Sequence, residues 1–450
     1  MEKFSEIKYV RPDFEKYKAD VSEAIKAYKA AETYEEQKKI VYRMEEIDAA
    51  MQDMVTVASI RNTMNTADEF YDGEMAFIRE EAAKLTPLQQ EIIKARLESK
   101  FRKEFDEEFG TLMNYDAEQQ LKRLDPIIIP ELIEEGNLTQ DYSKTAASCK
   151  TTFRGEEVNF YGLLKHMQST DRAERKEAFE AWAALYESVS ATLDKQYDEL
   201  CALRVKMAKK LNLESYVEQA YLGMQRYDYN RDNVAVFRKQ VVDVIVPAVK
   251  KLYEEQAKRI GVDKLHYYDE QLVFPEGNAV PIGTTAELVE KARKMYEELS
   301  PETEEFFNFM AKYELFDLET KPNKHMGGYM TFLPERKAPF IFSNFNGTSA
   351  DVDVLTHEAG HAFQGYIAAR TLPLSEMCGS TSEINEIHSM SMEHFTYPWM
   401  ESFFGEKADK YRYAHLTEAL KTIPYLVAVD EFQHEVFNNC FRKKSNLACN

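Results

Sequence analysis

His357-Glu358-Ala359-Gly360-His361 lies within Asp351 to Ala369, a stretch whose apolar residues recur with the period of an α-helix. On a helix two imidazoles four residues apart differ by only ~40° around the axis, so both can reach one zinc ion. Glu358 is turned ~100° from His357, close enough to serve as general base on a zinc-bound water without ligating the metal. Asp351 and Asp353 fall in the first turn, where the helix dipole favours negative charge. With nine His and 78 acidic residues in 450, chance would supply an H-[DE]-x-x-H string roughly 0.03 times. Two histidines merely packed on an apolar helix would each still need a hydrogen-bond partner.

A catalytic zinc takes three protein ligands and keeps one position open, so a third ligand must come from elsewhere. The longer metzincin pattern is excluded, because Gln364 and Ile367 stand where it requires Gly and His. A carboxylate from a second helix, expected from about Ser382 to Phe404, remains. Glu376, Glu383, Glu386 and Glu393 all lie downstream, with His388 and His394 as competitors. Glu386 and Glu393 are ~20° from eclipsed on a helix, so one could ligate while the other orients a ligand imidazole. His388, ~200° round from Glu386, is expected to face away. Spacing alone does not choose between Glu386 and Glu383.

The rest of the chain reads as mainly α. Gly 16 and Pro 14 are well below the usual ~7% and ~5%, which excludes collagenous, low-complexity and turn-dense all-β architectures. From about Pro12 to Leu124 apolar residues recur every three or four positions, as in Ile40, Met44, Ile47, Met51 and Met54. Thr86-Pro87 and Ser300-Pro301 read as N-cap and first helical residue, and Thr284 with Glu287 as a capping box. Gly327 to Phe345 alternates aromatic and aliphatic residues around Pro334 and Pro339 and reads as a small β-hairpin. The charge run Glu104 to Glu108 reads as a solvated face.

A net charge of -21 argues against nucleic acid or an anionic membrane as partner. The five cysteines are odd in number and contain no C-x-x-C pair, which fits a reducing cytoplasm. The N-terminus has no apolar h-region, and Val241 to Val249 is interrupted by Asp243 and Pro247, so no segment is expected to enter a membrane.

The sequence resembles the thimet oligopeptidase and oligoendopeptidase F family of zinc peptidases, most closely its bacterial oligoendopeptidase F branch. The matching residues are Gly327-Gly328-Tyr329, Pro339 through Thr348, Val354 through Gln364, and Glu386-Ile387-His388-Ser389-Met390-Ser391-Met392-Glu393. The resemblance implies one zinc per chain on His357, His361 and Glu386, with Glu393 behind the ligands. It also implies a two-lobed helical zincin with a small β-sheet beside the active-site helix, enclosing a channel that admits short unfolded peptides. The expected organisation is an N-terminal helical lobe over 1–168, a catalytic lobe over 169–437 and an atypical tail over 438–450. Gly328, Tyr329, Phe342 and Asn344 are candidate substrate contacts, and Phe340 to Phe345, if free on one edge, could receive an extended peptide as an added strand.

Family members continue beyond the region matching Asp430 to His434 with a segment whose His and Tyr residues serve as oxyanion donors, whereas this sequence ends at Asn450 after a change of composition from Asn438. A natural short form, a changed reading frame and a deliberate truncation would all look like this. Tyr411, Tyr413 and His415 could stand in as donors, although surface or packing roles are the commoner ones for such residues. A short chain of this kind is expected to bind zinc and peptides yet hydrolyse them slowly, and to expose Ile423, Leu426 and Val427. The competing reading is a zinc-binding helical protein, catalytically weak or silent, that binds or scaffolds. The intact Glu358 favours the enzyme, because a structural zinc site needs no general base. Oligomeric state is not legible.

Overall fold

The computed structural model describes residues 1–439; the tail from 440 onward, including Cys440 and Cys449, lies outside the described residues. The chain is mainly α-helical. Phe14–Ala30, Tyr34–Met64, Glu69–Lys84 and Thr86–Leu97 form an N-terminal layer of amphipathic helices. Ile129–Ala147 then packs on the long helix Arg172–Lys210. Thr33 opens the second helix with a capping box to Glu36, and Thr284 does the same for Thr285–Leu299 with Glu287. Ser300 caps Pro301–Lys312 through the N–H of Thr303. Thr86 does not act as a cap: its hydroxyl donates to Ala83 O in the preceding turn, so the two helices run together without a free N-terminus between them.

The expected hairpin is present as Tyr329–Leu333 antiparallel to Ala338–Phe345. A third strand, Phe316–Glu319, pairs parallel with Ala338–Phe345. The order therefore places Ala338–Phe345 in the centre, paired on both sides and buried along its whole length. This overturns the expectation of a free edge at Phe340 to Phe345. The extra partner was hard to read from sequence, because a four-residue strand is too short to show a period. The free edge on the site side belongs instead to Tyr329–Leu333.

One face of this sheet packs on the motif helix, Ala350–Thr371, and the main core joins them to Thr285–Leu299, Pro301–Lys312 and Met400–Phe404. The N-terminal residues enter the same core: Phe4 packs against Phe340 with ring centroids 4.4 Å apart, and Val57 and Ile60 are fully buried there. Buried Asp53 pairs with Arg336, fixing the hairpin turn to the N-terminal helices. The helix expected over 382–404 ends at Phe395, since Pro398 cannot continue its hydrogen bonding. A short turn and Met400–Phe404 follow, before the final helix Ala408–Asn439. On that helix Leu426 is exposed, whereas Ile423 and Val427 are half-buried. No helix among the described residues is long and apolar enough to cross a membrane.

Candidate active site

The motif helix and Ser382–Phe395 approach so closely that a Cβ on Gly360 would stand 2.7 Å from Ser389 Cα and 2.9 Å from His388 O. Only glycine permits this contact, and the contact brings Glu386 under the two imidazoles. Glu386 Oε2 lies 3.1 Å from His357 Nε2 and 3.8 Å from His361 Nε2. One ligand atom from each of the three residues falls within 4.8 Å of the others. Ligand bonds of ~2.0–2.2 Å in a tetrahedron put donor atoms ~3.3–3.6 Å apart, so two imidazole nitrogens and one carboxylate oxygen in this arrangement fit zinc.

Each of the three side chains is also held from behind. His357 Nδ1 is 2.5 Å from Glu393 Oε1, Ser389 Oγ donates to Glu386 Oε2 at 3.0 Å, and His361 Nδ1 is 3.0 Å from His388 Nε2. His388 therefore does not face away, as its helical angle suggested. The His361 ring lies between the two side chains and turns one nitrogen to each, so an angle measured on one helix does not settle contact with a partner's ring. The competing carboxylates are engaged elsewhere: Glu383 by Arg226 and Tyr229, Glu376 by Arg96. Burial pushes the His361 pKa down to about 4, which keeps the ring neutral and its lone pair available. At His357 burial acts the same way, but the hydrogen bond and charge of Glu393 outweigh it and raise the pKa.

Glu358 is buried beside this cluster, and its carboxylate accepts from the backbone N–H of Met330. Burial pushes its pKa up to about 7; the charge of Glu386 adds to this, while His357 and the Met330 N–H oppose it. Gly328 lies beside it: a Cβ there would be in ordinary contact with Glu358 Oε1 at 3.5 Å and would crowd Val354 Cγ1 at 3.0 Å.

These groups lie along a cleft of about 1170 Å³. One wall is the N-terminal helix Tyr34–Met64, through Tyr42, Glu45 and Glu46; the other is the edge strand with Gly328, Met330 and Phe332. Gly328 and Tyr329 of the expected substrate contacts line this cleft. Tyr329 is also anchored, its hydroxyl 2.6 Å from Thr63 Oγ1 and its ring stacked on Phe342. The structure does not bring Phe342 and Asn344 to the cleft. Phe342 is fully buried behind Tyr329, and the Asn344 amide donates to His325 O and Gly327 O, where it braces the loop before the edge strand.

None of Tyr411, Tyr413 and His415 lines the cleft. The Tyr411 hydroxyl donates to Asp353 at 2.6 Å, that of Tyr413 accepts from Arg259, and His415 lies behind Glu393. The links from His388 to His361 and from His415 through Glu393 to His357 are the features that sequence reasoning missed. The Tyr411-x-x-x-His415 spacing, which puts both on one helix face, was the available signal for the latter.

Residues 4–124 match the model of the peptidase M3 N-terminal domain, and residues 165–439 match that of peptidase family M3. No curated protein matches the chain. Among solved structures, a protein designated oligoendopeptidase F is 45% identical, with a TM-score of 0.96 over 98% of this chain and 78% of that one. PZ peptidase A with an inhibitor is 45% identical, with a TM-score of 0.95 over 97% of this chain and 78% of its own. A protein from Bacillus anthracis str. Ames, likewise designated oligoendopeptidase F, is 42% identical, with a TM-score of 0.97 over 99% and 82%.

Proposed function

This chain belongs to peptidase family M3, and on that premise we propose that it is a zinc-dependent endopeptidase of short, unfolded peptides, with Glu358 as its general base. The observation that carries this reading is the meeting of His357, His361 and Glu386 on the cleft wall, with the Glu358 carboxylate beside them. A structural zinc site would close all four positions with protein ligands and would have no use for a cleft. When bound by these three residues, zinc would supply Lewis acidity toward the scissile carbonyl and lower the pKa of water.

The remaining work falls to the chain. Ile341 N–H turns away from the hairpin to Leu315 O, so its partner Met330 turns its own backbone groups outward. Phe332, two residues on, does the same. The Met330 N–H is engaged by Glu358, which leaves the Met330 carbonyl and the outward groups of Phe332 suited to pair with the backbone of an extended peptide and lay it across Glu358. Glu358 takes the proton of the attacking water and returns it to the departing amine, a role that suits a carboxyl held near neutrality by burial. The wall formed by Tyr34–Met64 restricts the cleft to chains without folded bulk, which fits the oligoendopeptidase designation of the similar proteins. The division into an N-terminal lobe over 1–168 and a catalytic lobe over 169–437 belongs to this proposal. The test is hydrolysis of internally quenched peptides of graded length by the zinc-loaded chain, with product masses. Internal cleavage confined to short peptides supports the reading, whereas release of terminal residues alone, or no hydrolysis, contradicts it.

A further inference from the structure

The final helix brings His415, its side chain 9% exposed, to the back of the His357, His361 and Glu386 cluster. His415 Nε2 lies 2.5 Å from Glu393 Oε2, while Glu393 Oε1 lies 2.5 Å from His357 Nδ1. The other nitrogen of His415, Nδ1, is 2.6 Å from the Tyr397 hydroxyl. Tyr397, His415, Glu393 and His357 thus form one unbroken chain.

With both rings neutral, one assignment of protons satisfies every atom. If His357 offers its Nε2 lone pair to a cation, its proton is on Nδ1 and is donated to Glu393. A carboxylate only accepts, so His415 must donate from Nε2, and its bare Nδ1 must accept from the Tyr397 hydroxyl. The His415 ring is clamped as well: Tyr411 stacks on it at 5.6 Å and 19°, and the Tyr411 hydroxyl is tied to Asp353 on the motif helix. Both nitrogens of His415 are thereby committed, and the one that faces the site is committed to Glu393.

We propose that His415 is a positioning residue for the metal site. It holds the outer oxygen of Glu393, which keeps the inner oxygen on the His357 Nδ1–H and fixes the tautomer and ring plane in which His357 presents Nε2. Without that hold, a glutamate with several rotatable bonds would be tethered by one hydrogen bond, and the His357 ring would be free to turn. His415 lines no part of the cleft, so its influence is indirect. The inference rests on the assignment of His357, His361 and Glu386 as metal ligands.

The test compares wild type with His415→Phe and His415→Gln. The phenyl ring keeps the packing but has no donor, whereas the glutamine amide restores an N–H near the position of Nε2. Zinc dissociation constants from chelator competition, visible spectra of the cobalt(II)-loaded chains and melting temperatures are measured for all three. The expected result for His415→Phe is a ~10–100-fold weaker zinc affinity and an altered cobalt spectrum, with affinity largely restored in His415→Gln. Wild-type affinity and spectrum in His415→Phe overturn the inference while leaving the ligand assignment standing. Equal losses in both variants, in step with melting temperature, also overturn it, by reducing His415 to packing. A wild-type chain that binds no zinc overturns the ligand assignment and the inference with it. If His415→Phe does not fold, His415→Asn, whose amide is too short to reach Glu393, replaces it with the same expected contrast to His415→Gln.

Discussion

Arg226 Nε donates to Glu383 Oε1 at 2.6 Å, and the Tyr229 hydroxyl donates to the same oxygen at 2.5 Å. Glu383 stands three residues before Glu386 on the same helix, and the ion pair commits it to the neighbouring segment. Among the described residues Glu386 pairs with no Arg or Lys, and it turns to the imidazoles. The choice between two carboxylates of the same type is made by a guanidinium more than 150 residues away in sequence.

Glu386→Gln is therefore expected to lower zinc occupancy sharply, because a neutral amide oxygen is a much poorer ligand than a carboxylate. Glu383→Gln should keep its zinc and lose about 1 kcal/mol of stability from the partly exposed ion pair. Metal analysis after dialysis, with urea denaturation of both variants, checks this. Full zinc in Glu386→Gln together with loss in Glu383→Gln would reverse the assignment.

Glu358→Gln should retain zinc and lose turnover by a factor on the order of 10³ or more, since an amide neither accepts the water's proton nor returns it. Zinc content and kcat on a quenched peptide are the measurements. Activity within about tenfold of wild type would remove Glu358 from the general-base role.

Gly360→Ala tests the helix contact that assembles the site. The new methyl group would meet the Ser389 backbone at 2.7 Å and the His388 carbonyl at 2.9 Å, and neither can rotate away. Separation of the two helices should cost about 1–3 kcal/mol and weaken zinc binding at the same time, because Glu386 moves with its helix. An alanine variant with wild-type melting temperature and zinc affinity would show that the contact is slack.

Lys324 gives a pH prediction. Its ammonium is buried against Asp317, Glu319 O and the face of Phe342, and burial brings its pKa down to about 8 despite the Asp317 charge. Between about pH 8 and 10.5 the unfolded chain holds the Lys324 proton and the folded chain has released it, so this residue makes stability rise with pH across that window. The stability difference between wild type and Lys324→Met, measured in urea at pH 7.5 and pH 10, should therefore shift in favour of wild type at the higher pH. A difference that stays constant would mean that Lys324 titrates normally.

Much of this arrangement was legible because it is local. His357, Glu358 and His361 share one helix, so their placement follows from 3.6 residues per turn. The hairpin announced itself by alternation and two prolines. What could not be read was set by contacts between distant segments: Phe316–Glu319 pairing with the central strand, Arg226 selecting among glutamates, and the final helix carrying His415 to Glu393. Phe342 shows the limit from the other side. Its aromatic character suited a peptide contact equally well, and only the stacking of Tyr329 over it shows which ring faces the cleft.

The central claim is that one metal ion, held by His357, His361 and Glu386, is needed for peptide hydrolysis. It is tested most directly by stripping the purified chain with a chelator, dialysing the chelator away, and titrating zinc back while hydrolysis of a quenched peptide is followed. Activity should vanish on stripping and return in proportion to zinc, with a plateau at one equivalent per chain. Full activity in the metal-free chain, or a return that needs several equivalents, would contradict it.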